Sequence, residues 1–531
     1  VVGVLTEQAK QRVQAVIDAN IDELRELPNF VAARPGFPLV GGSFKTRPAI
    51  IVLVAQKLPP DHLLNEDLAP RRLGGYRVDV MQADPVKQVQ AMGSAVARKA
   101  LAPAAAAVYT YTPPPGNPID TPVTVTKPIL CHVGPDAGWP VLSKFLAGTR
   151  KQLAVAIYDF NAAYIATKLI TTGQARTVDV TMNWDASPPL TNESETVKDV
   201  AGKLKPNFHD VVIPTGSGHA FANSYHEKVA VRDSAAFWLS SGNWTIKSQP
   251  DIDPVTTPAA GVGMYGKYNR EWHVVLEDRT LAALFEKYIR YDYDQAEQDL
   301  KTAKKAGKRA AAATVFPDVF VPLEAVVAAA TLPPEPVAPK RLPSGGASYQ
   351  VQPVLTPDNY RQRVSALLEG AQRSIYMQLA YINYSDAAGD AAFTDLLNVL
   401  KKKIDQADVD VRIIVDSRNG AGGVAALVEH GFNQTVFRQQ TNIHNKGIVV
   451  DGEAVLVSSA NWSSDGILRN RDAGLIIANA EVAGYYQQVF LDDWDKRTTA
   501  INGPSTAIVA RPGAATPPGM VRVSWHDYMD D

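Results

Sequence analysis

An α/β fold is predicted, in which two homologous α-β-α halves follow a small amino-terminal α/β module. Three observations carry that prediction. At 531 residues the chain is too long for one ordinary hydrophobic core and has room for several domains. Helical apolar spacing alternates with short β-branched runs along most of it. And "HEKVAVRDSAAFWLSSGNW" from His226 is matched by "HNKGIVVDGEAVLVSSANW" from His444, about 220 residues later. That period is too long for a solenoid repeat and fits two related halves of one bilobed unit.

The first elements belong to residues 1–100. A helical pattern runs from Thr6 to Leu27, followed by the strands "RPAIIVLVAQK" at Arg47 and "YRVDVMQ" at Tyr76 and a helix from Val86. This is a small α/β module of unknown role. Residues 101–122 are rich in Ala and Pro and read as a linker.

The first half spans 123–303 and the second 351–500. "GPDAGWPVLSKFLAGTRKQLAVAIYDF" at Gly134 parallels "TPDNYRQRVSALLEGAQRSIYMQLAYI" at Thr356: a helix, a stop at Gly148 or Gly370, then a buried strand. "VDVTMNW" at Val178 parallels "VDVRIIVDS" at Val409 as a second strand. After each histidine stretch comes a helix ending in "YDYD" at Tyr291 or "DDWD" at Asp492. Residues 304–350 form an interdomain linker, first basic, then apolar, then Pro-rich, and 501–531 read as a tail. In the linker, a basic cluster beside Val315, Phe316, Phe320 and Val321 is a candidate peripheral membrane contact, against the commoner reading of a belt lying over a groove.

Composition sets limits on function. The 53 basic and 55 acidic side chains nearly cancel, so no global field draws the chain to nucleic acid; a local basic groove stays open. No apolar run approaches the length of a transmembrane helix. The one cysteine, Cys131, excludes an internal disulfide, lacks zinc-ligand spacing and reads as a small buried hydrophobe. No charged-then-apolar leader precedes the first polar helix, which suits a soluble protein, cytoplasmic or secreted after processing; the compartment is not readable.

The two histidine stretches carry the chemistry. His226, Lys228 and Asp233 recur as His444, Lys446 and Asp451; Ser241 and Asn243 recur as Ser459 and Asn461. The residues between them read as two strands joined by a turn at Asp233-Ser234 or Asp451-Gly452. Residues two apart on a strand share a face, so His and Lys emerge together, and the returning strand brings Ser and Asn beside them. An ammonium with hydroxyl and amide donors suits a phosphoryl oxyanion, and an imidazole there can attack or protonate. Each copy also supplies a carboxylate after the hairpin, Glu271 of "NRE" and Asp472 of "NRD", expected to hold Nδ1 of its own histidine and leave Nε2 to the substrate. The first copy needs a longer span because "TIKSQPDIDPVTTPAAGVGMYGKY" from Thr245 is inserted there. A lone histidine at a strand end is usually an ordinary structural residue; two matches of six positions each are not explained that way.

These residues resemble the phospholipase D superfamily, whose signature is His-x-Lys-x4-Asp followed by Ser-x-Asn, over Val123 to Arg497. The resemblance implies two phospholipase D-like halves about a pseudo-two-fold axis, no metal or other cofactor, and two histidines on opposite sides of one phosphodiester. It implies His226 as nucleophile and His444 as general acid. Lys228, Lys446, Asn243 and Asn461 would bind phosphoryl oxygens, Ser241 and Ser459 would support that site, and Asp233 and Asp451 would brace the hairpin. Ser240 and Ser458 stand where the family often has glycine, and Trp244 and Trp462 read as packing residues behind the site. The amino-terminal "TRPAIIVLVAQKL" is similar to small α/β domains ahead of some bacterial trypsin-like proteins, but no Ser/His/Asp set accompanies it.

Three readings of function follow. The first is cleavage of a phospholipid head-group phosphodiester, with exchange of the alcohol; near-neutral charge and a lid-sized insertion after Trp244 support it. The second is a metal-independent nuclease or other phosphodiesterase, with the basic tract from Lys301 to Arg309 as its one electrostatic support. The third is a non-catalytic phosphate-binding module, disfavoured by intact His, Lys and Asn in both copies.

Overall fold

The computed structural model describes residues 4–40, 43–58, 63–92, 111–116, 118–185, 191–216, 219–305, 317–322, 335–418, 420–501, 507–510, 514–523, 525 and 528. Half of the Ala/Pro-rich linker, and the basic cluster beyond Lys305 with Val315 and Phe316, lie outside the described residues. Two large mixed sheets dominate.

The first sheet is built from β1 (Ile129–Gly134), β2 (Gln152–Ile157), β3 (Asp179–Trp184), β4 (Phe208–Val212), β5 (Lys228–Arg232), β6 (Ala236–Ser240) and β7 (Glu271–Leu276). The second uses β8 (Tyr349–Leu355), β9 (Ser374–Leu379), β10 (Asp410–Asp416), β11 (Phe437–Gln440), β12 (Lys446–Val450), β13 (Ala454–Ser458) and β14 (Ala473–Ala478). In space the first runs β4-β3-β2-β5-β6-β7-β1 and the second β11-β10-β9-β12-β13-β14-β8, the same order. β2, β3 and β4 are parallel, as are β9, β10 and β11, because helical crossovers join them. The remaining neighbours are antiparallel. Short strands cross over at the edges: Val123–Val125 pairs with β8 of the second sheet, and Lys340–Leu342 pairs with β1 of the first. The start of the predicted first half and the interdomain linker thus each supply a strand to a large sheet.

The helices sort into outer and inner layers. On the outer face of the first sheet, α1 (Gly138–Ala147), α2 (Ala163–Arg176) and α3 (Thr191–Leu204) bury residues such as Leu142, Phe145, Ile165, Leu169 and Val200. On the second sheet, α5 (Tyr360–Glu369), α6 (Ala391–Ile404) and α7 (Gly420–Glu429) do the same with Val364, Leu368, Phe393, Leu397 and Leu427. The inner faces share one core, closed by α4 (Arg279–Lys305) and α8 (Ala480–Lys496). Phe285, Tyr288 and Ile289 of α4, Tyr486, Val489 and Phe490 of α8, and Phe237, Trp272, Val457 and Leu475 of the strands all lie in it. Such a core makes the two sheets one packing unit. The expected helix stop at "YDYD" is not observed: α4 continues to Lys305, with Asp292 buried and Asp294 exposed on opposite sides of the longer helix. "DDWD" does fall at the end of α8.

The amino-terminal module is a four-stranded sheet ordered Phe30–Gly36, Ala49–Val54, Tyr76–Gln82, Arg72–Leu73. The helical pattern from Thr6 is two helices, Glu7–Ala19 and Ile21–Arg25, broken at Asn20; Thr6 caps the first by accepting from Ala9 N. Val13, Ile17 and Leu24 cover Ile50, Val52 and Val54. The strand Phe30–Gly36 escapes the sequence pattern because Arg34 and Pro35 break its alternation; it sits at the sheet edge, where Pro is tolerated. The module docks on the second sheet's helices through Arg34 to Glu429 at 2.8 Å and Leu5 N to Glu429 O at 2.9 Å.

Residues 501–531, read as a tail, contribute strands Ile508–Val509 and Met520–Val523 to a three-stranded sheet around Val319–Pro322. Gln88 ties it to the amino-terminal module, donating to Ala507 O and accepting from Val509 N. Among the described residues no helix is long and apolar enough to cross a membrane.

Candidate active site

Both histidine stretches form the expected hairpins, β5-β6 and β12-β13, with Val229 opposite Leu239 and Ile448 opposite Leu456. Continued by one residue in the first hairpin and by two in the second, that register sets Lys228 against Ser240 and Lys446 against Ser458. Asp233 and Ser234 have φ of 55° and 48°, and Asp451 and Gly452 have 55° and 68°, the paired left-handed conformations of a tight hairpin turn. The aspartate carboxylates anchor these turns. Asp233 accepts from the backbone N–H of Arg150, Lys151 and Gln152, and Asp451 from those of Gln372, Arg373 and Ser374, at 2.7–3.2 Å. Each hairpin tip is thereby bolted to the start of β2 or β9. Burial works to raise the Asp451 carboxyl, but the three backbone donors and Arg373 outweigh it and hold it below its ordinary value.

At the open ends of the hairpins the two copies meet. The backbone of Tyr225 bridges Arg471, and that of Arg270 bridges Ile443, so each histidine strand is clasped by the carboxylate strand of the other copy. His226 N donates to Arg471 O at 2.7 Å and His444 N to Arg270 O at 3.3 Å. This overturns the expected pairing of each histidine with its own carboxylate. Nδ1 of His226 lies 2.7 Å from Asp472 Oδ1, and Nδ1 of His444 lies 2.7 Å from Glu271 Oε1. The reason is steric. Within one sheet β6 separates β5 from β7, and β13 separates β12 from β14, so a carboxylate is closer to the facing hairpin than to its own.

The serines hold the carboxylates. Ser241 donates to Glu271 Oε2 at 2.5 Å and Ser459 to Asp472 Oδ1 at 2.7 Å, and this, rather than direct phosphate support, is what their geometry shows. Ser240 Oγ accepts from Gly242 N at 2.7 Å and Ser458 Oγ from Ala460 N at 3.0 Å. A hydroxyl at the position often occupied by glycine therefore pins the turn that presents the next serine and asparagine. Asn243 and Asn461 are buried with Oδ1 lacking a hydrogen-bond partner. Lys228 Nζ donates to His226 O at 2.8 Å and Lys446 Nζ to His444 O at 2.5 Å. Trp244 and Trp462 are fully buried, Trp244 against Phe160 and Trp238, so both pack behind the site.

Burial and lysine charge depress both imidazoles. His226 is lowered to about 4 by desolvation and Lys228, against the opposing pull of Asp472. His444 is lowered to about 3 by desolvation, which overcomes the opposing pull of Glu271, with Lys446 and Lys228 adding to the lowering. Burial raises Glu271, but the charge and hydrogen bond of His444, then Lys446, overcome it and hold the carboxyl at about 2. With Nδ1 committed to a carboxylate, the lone pair of each neutral ring sits on Nε2.

Sequence reading missed several groups. Arg270 of "NRE" is buried in ion pairs to Asp136 at 2.6 Å and, with two bonds, to Asp493 of α8. Arg471 of "NRD" answers it, pairing Asp358 at 2.6 Å and, with two bonds, Asp292 of α4. All four aspartates stand in the repeated "GPD", "TPD", "YDYD" and "DDWD" segments, so the signal was present as matched acids of unassigned purpose. Tyr158 breaks the repeat, aligning with Ala380, and left no signal. Its ring lies 4.7 Å from that of His226 and 4.9 Å from Lys228 Nζ. Glu227 also breaks it, aligning with Asn445; burial and the neighbouring Asp292, Asp472 and Asp358 push it well above the carboxylate range despite Arg471.

Residues 364–494 match the family model described as cardiolipin synthase, PLD-like domain. The segment that carries His444, Lys446, Asn461 and Asp472 is therefore a phospholipase D-like domain. Among solved structures, the chain is similar to phosphatidylserine synthase of Haemophilus influenzae Rd KW20, at 12% identity over 71% of this chain and 90% of that one, with a TM-score of 0.46. It is similar to Nuc, a phospholipase D family member of Salmonella typhimurium, at 25% identity over 28% of this chain and 97% of that one, with a TM-score of 0.23. NucT of Helicobacter pylori matches at 16% identity over 33% of this chain and 98% of that one, with a TM-score of 0.25. No curated protein sequence matches.

Proposed function

We propose that the chain is a phosphodiesterase of the phospholipase D type, built from two halves about a pseudo-two-fold axis and cleaving a phospholipid head-group phosphodiester. The observation that carries this reading is the pair of buried histidines, each with Nδ1 on a carboxylate and a lysine beside it. His226 Nε2 attacks phosphorus as the neutral ring; the P–O bond to the leaving alcohol breaks, and His444 delivers the proton that the alcohol takes. Substrate charge arriving beside His444 raises its proton affinity, which burial alone depresses. His444 then accepts a proton from water or a second alcohol, whose oxygen displaces His226 and regenerates the enzyme. Lys228, Lys446, Asn243 and Asn461 bind the phosphoryl oxygens.

Lipid is favoured as substrate by the insertion after Trp244. Among the exposed large apolar residues, Ile246 at 56% and Val262 at 66% both stand on it, which suits contact with an acyl phase. The test is release of choline or ethanolamine from mixed phosphatidylcholine and phosphatidylethanolamine vesicles in EDTA, with His226→Ala as control. Release by the wild type alone is expected; intact lipid with cleavage of DNA under the same conditions would replace this reading with a nuclease.

A further inference from the structure

The two histidine–carboxylate pairs look equivalent in sequence and are unequal in structure. Glu271 accepts from three partners: His444 and Ser248 on Oε1, at 2.7 and 2.9 Å, and Ser241 on Oε2. Asp472 accepts from His226 and Ser459 on Oδ1, while its buried Oδ2 has no hydrogen-bond partner among the described residues. The extra donor comes from the insertion that only the first copy carries. Ser248 is 1% exposed and is fixed from several sides: its N–H donates to Thr245 Oγ1, its Oγ accepts from Asn269 Nδ2 at 3.3 Å, and Asn269 N donates to Lys247 O. At the same offset from Trp462 the second copy has Gly466, which has no side chain to donate; Ser463 there accepts from Gly466 N as Thr245 does from Ser248 N.

A second exchange separates the pairs. A Cβ on Gly242 would come within 2.7 Å of Glu271 Cδ and Oε1, whereas the second copy has Ala460 with the shorter Asp472. The longer carboxylate fits only because a methyl is missing beside it, and its extra reach carries it to Ser248.

We infer that Ser248 is a positioning residue that makes the two histidines chemically unequal, completing the hydrogen bonding of Glu271 so that it is the weaker acceptor and His444 the more acidic ring. A carboxylate with three side-chain donors shares its charge among them and draws less on the imidazole N–H; one with two donors draws more. His226 is thereby the better supported nucleophile and His444 the readier proton donor. The other charged or titratable groups facing these pairs are Lys446 and His273 at Glu271, Glu227 and Tyr360 at Asp472, Tyr158 at His226, and both Lys228 and Lys446 at each histidine. None of them singles out Glu271 by hydrogen bonding as Ser248 does. The division of labour rests on the proposed phosphodiesterase reading; the inequality of the pairs does not.

The experiment follows the imidazole Nδ1–H proton resonances of the full chain at neutral pH, assigned with His226→Gln and His444→Gln. In Ser248→Ala the His444 resonance moves downfield as Glu271 becomes a stronger acceptor, His226 stays in place, and Ser248→Thr restores the original position. Ser248→Cys, a weak donor of similar volume, gives the same shift if the alanine variant does not fold. An unmoved His444 resonance, or equal movement of both, would overturn the inference. In parallel, the pH profile of bis(p-nitrophenyl) phosphate hydrolysis is measured for wild type and Ser248→Ala. A basic limb displaced upward by roughly half a pH unit or more supports the role of Ser248 in proton donation, and an undisplaced limb refutes it. A wild type without hydrolysis sinks the phosphodiesterase reading and leaves the resonance test to decide on Ser248.

Discussion

At the scale of residues, the crossed pairing decides which variants share a phenotype. Under the proposed mechanism, Asp472→Asn removes the acceptor of His226 and is expected to slow formation of the phosphoryl-enzyme, while Glu271→Gln acts on His444 and is expected to slow leaving-group protonation and adduct breakdown. Losses of about 10²–10⁴-fold in turnover are expected for either, read by rapid-quench measurement of labelled adduct. The opposite assignment, with Glu271→Gln behaving like His226→Ala, would restore pairing within each copy. Glu227 yields a separate prediction. Its folded-state proton affinity is raised, so the native state holds a proton that the unfolded chain releases above its ordinary carboxylate range, and stability falls as pH rises through that window. Glu227→Gln keeps the shape without the ionisation, as Asn445 does in the second copy. Its melting temperature should exceed that of the wild type more at pH 8 than at pH 5.

At the scale of elements, the hairpin is held at both ends. Asp451→Ala leaves the N–H groups of Gln372, Arg373 and Ser374 without their acceptor and the turn residue at φ 55° without its anchor. A loss of about 2–3 kcal/mol is expected from denaturant titration, with turnover falling as the hairpin loses its fixed position; an unchanged midpoint would reduce the aspartate to a surface residue. The other end tests the fit between Gly242 and Glu271. Gly242→Ala overpacks the carboxylate and should cost about 1–3 kcal/mol, and Glu271→Asp in the same chain should recover most of it by reproducing the Ala460–Asp472 arrangement. Additive losses would show that the methyl and the methylene do not compete for space.

At the scale of the whole molecule, two buried arginines join the sheets. Arg270 binds an aspartate of its own sheet and one on α8, and Arg471 binds one of its own and one on α4. Removing one partner of such a cluster strands buried charge, so Arg471→Leu should cost about 3–5 kcal/mol and abolish activity by freeing the β-bridge that seats His226. Acid should act on the same interface. Both site histidines bind protons more weakly folded than unfolded, so their stabilising contribution is complete above about pH 6.5 and is lost as pH falls toward 4 for His226 and 3 for His444. Wild-type melting temperature should decline through that window more steeply than that of a His226→Gln/His444→Gln variant. Parallel curves would show the rings to be as basic in the fold as in solution.

The sequence by itself determined the local elements and the inventory of the site. Period-two patterning set the hairpins, positive-φ residues at Asp451-Gly452 marked a turn, and repetition singled out His, Lys, Ser, Asn and a later carboxylate before any coordinate was known. The matched aspartates of "GPD", "TPD", "YDYD" and "DDWD" were visible but mute, because an ion pair needs both partners and the partner arginines lie over a hundred residues away. Edge strands such as Val123–Val125 and Phe30–Gly36 were hidden because pairing, not composition, makes them strands. Only the tertiary structure decided which carboxylate serves which histidine and that Ser248 favours one of them. Local spacing fixes which groups can turn to a common face; contact between two chain segments depends on how their sheets meet across a shared core, and no offset along the chain encodes that distance.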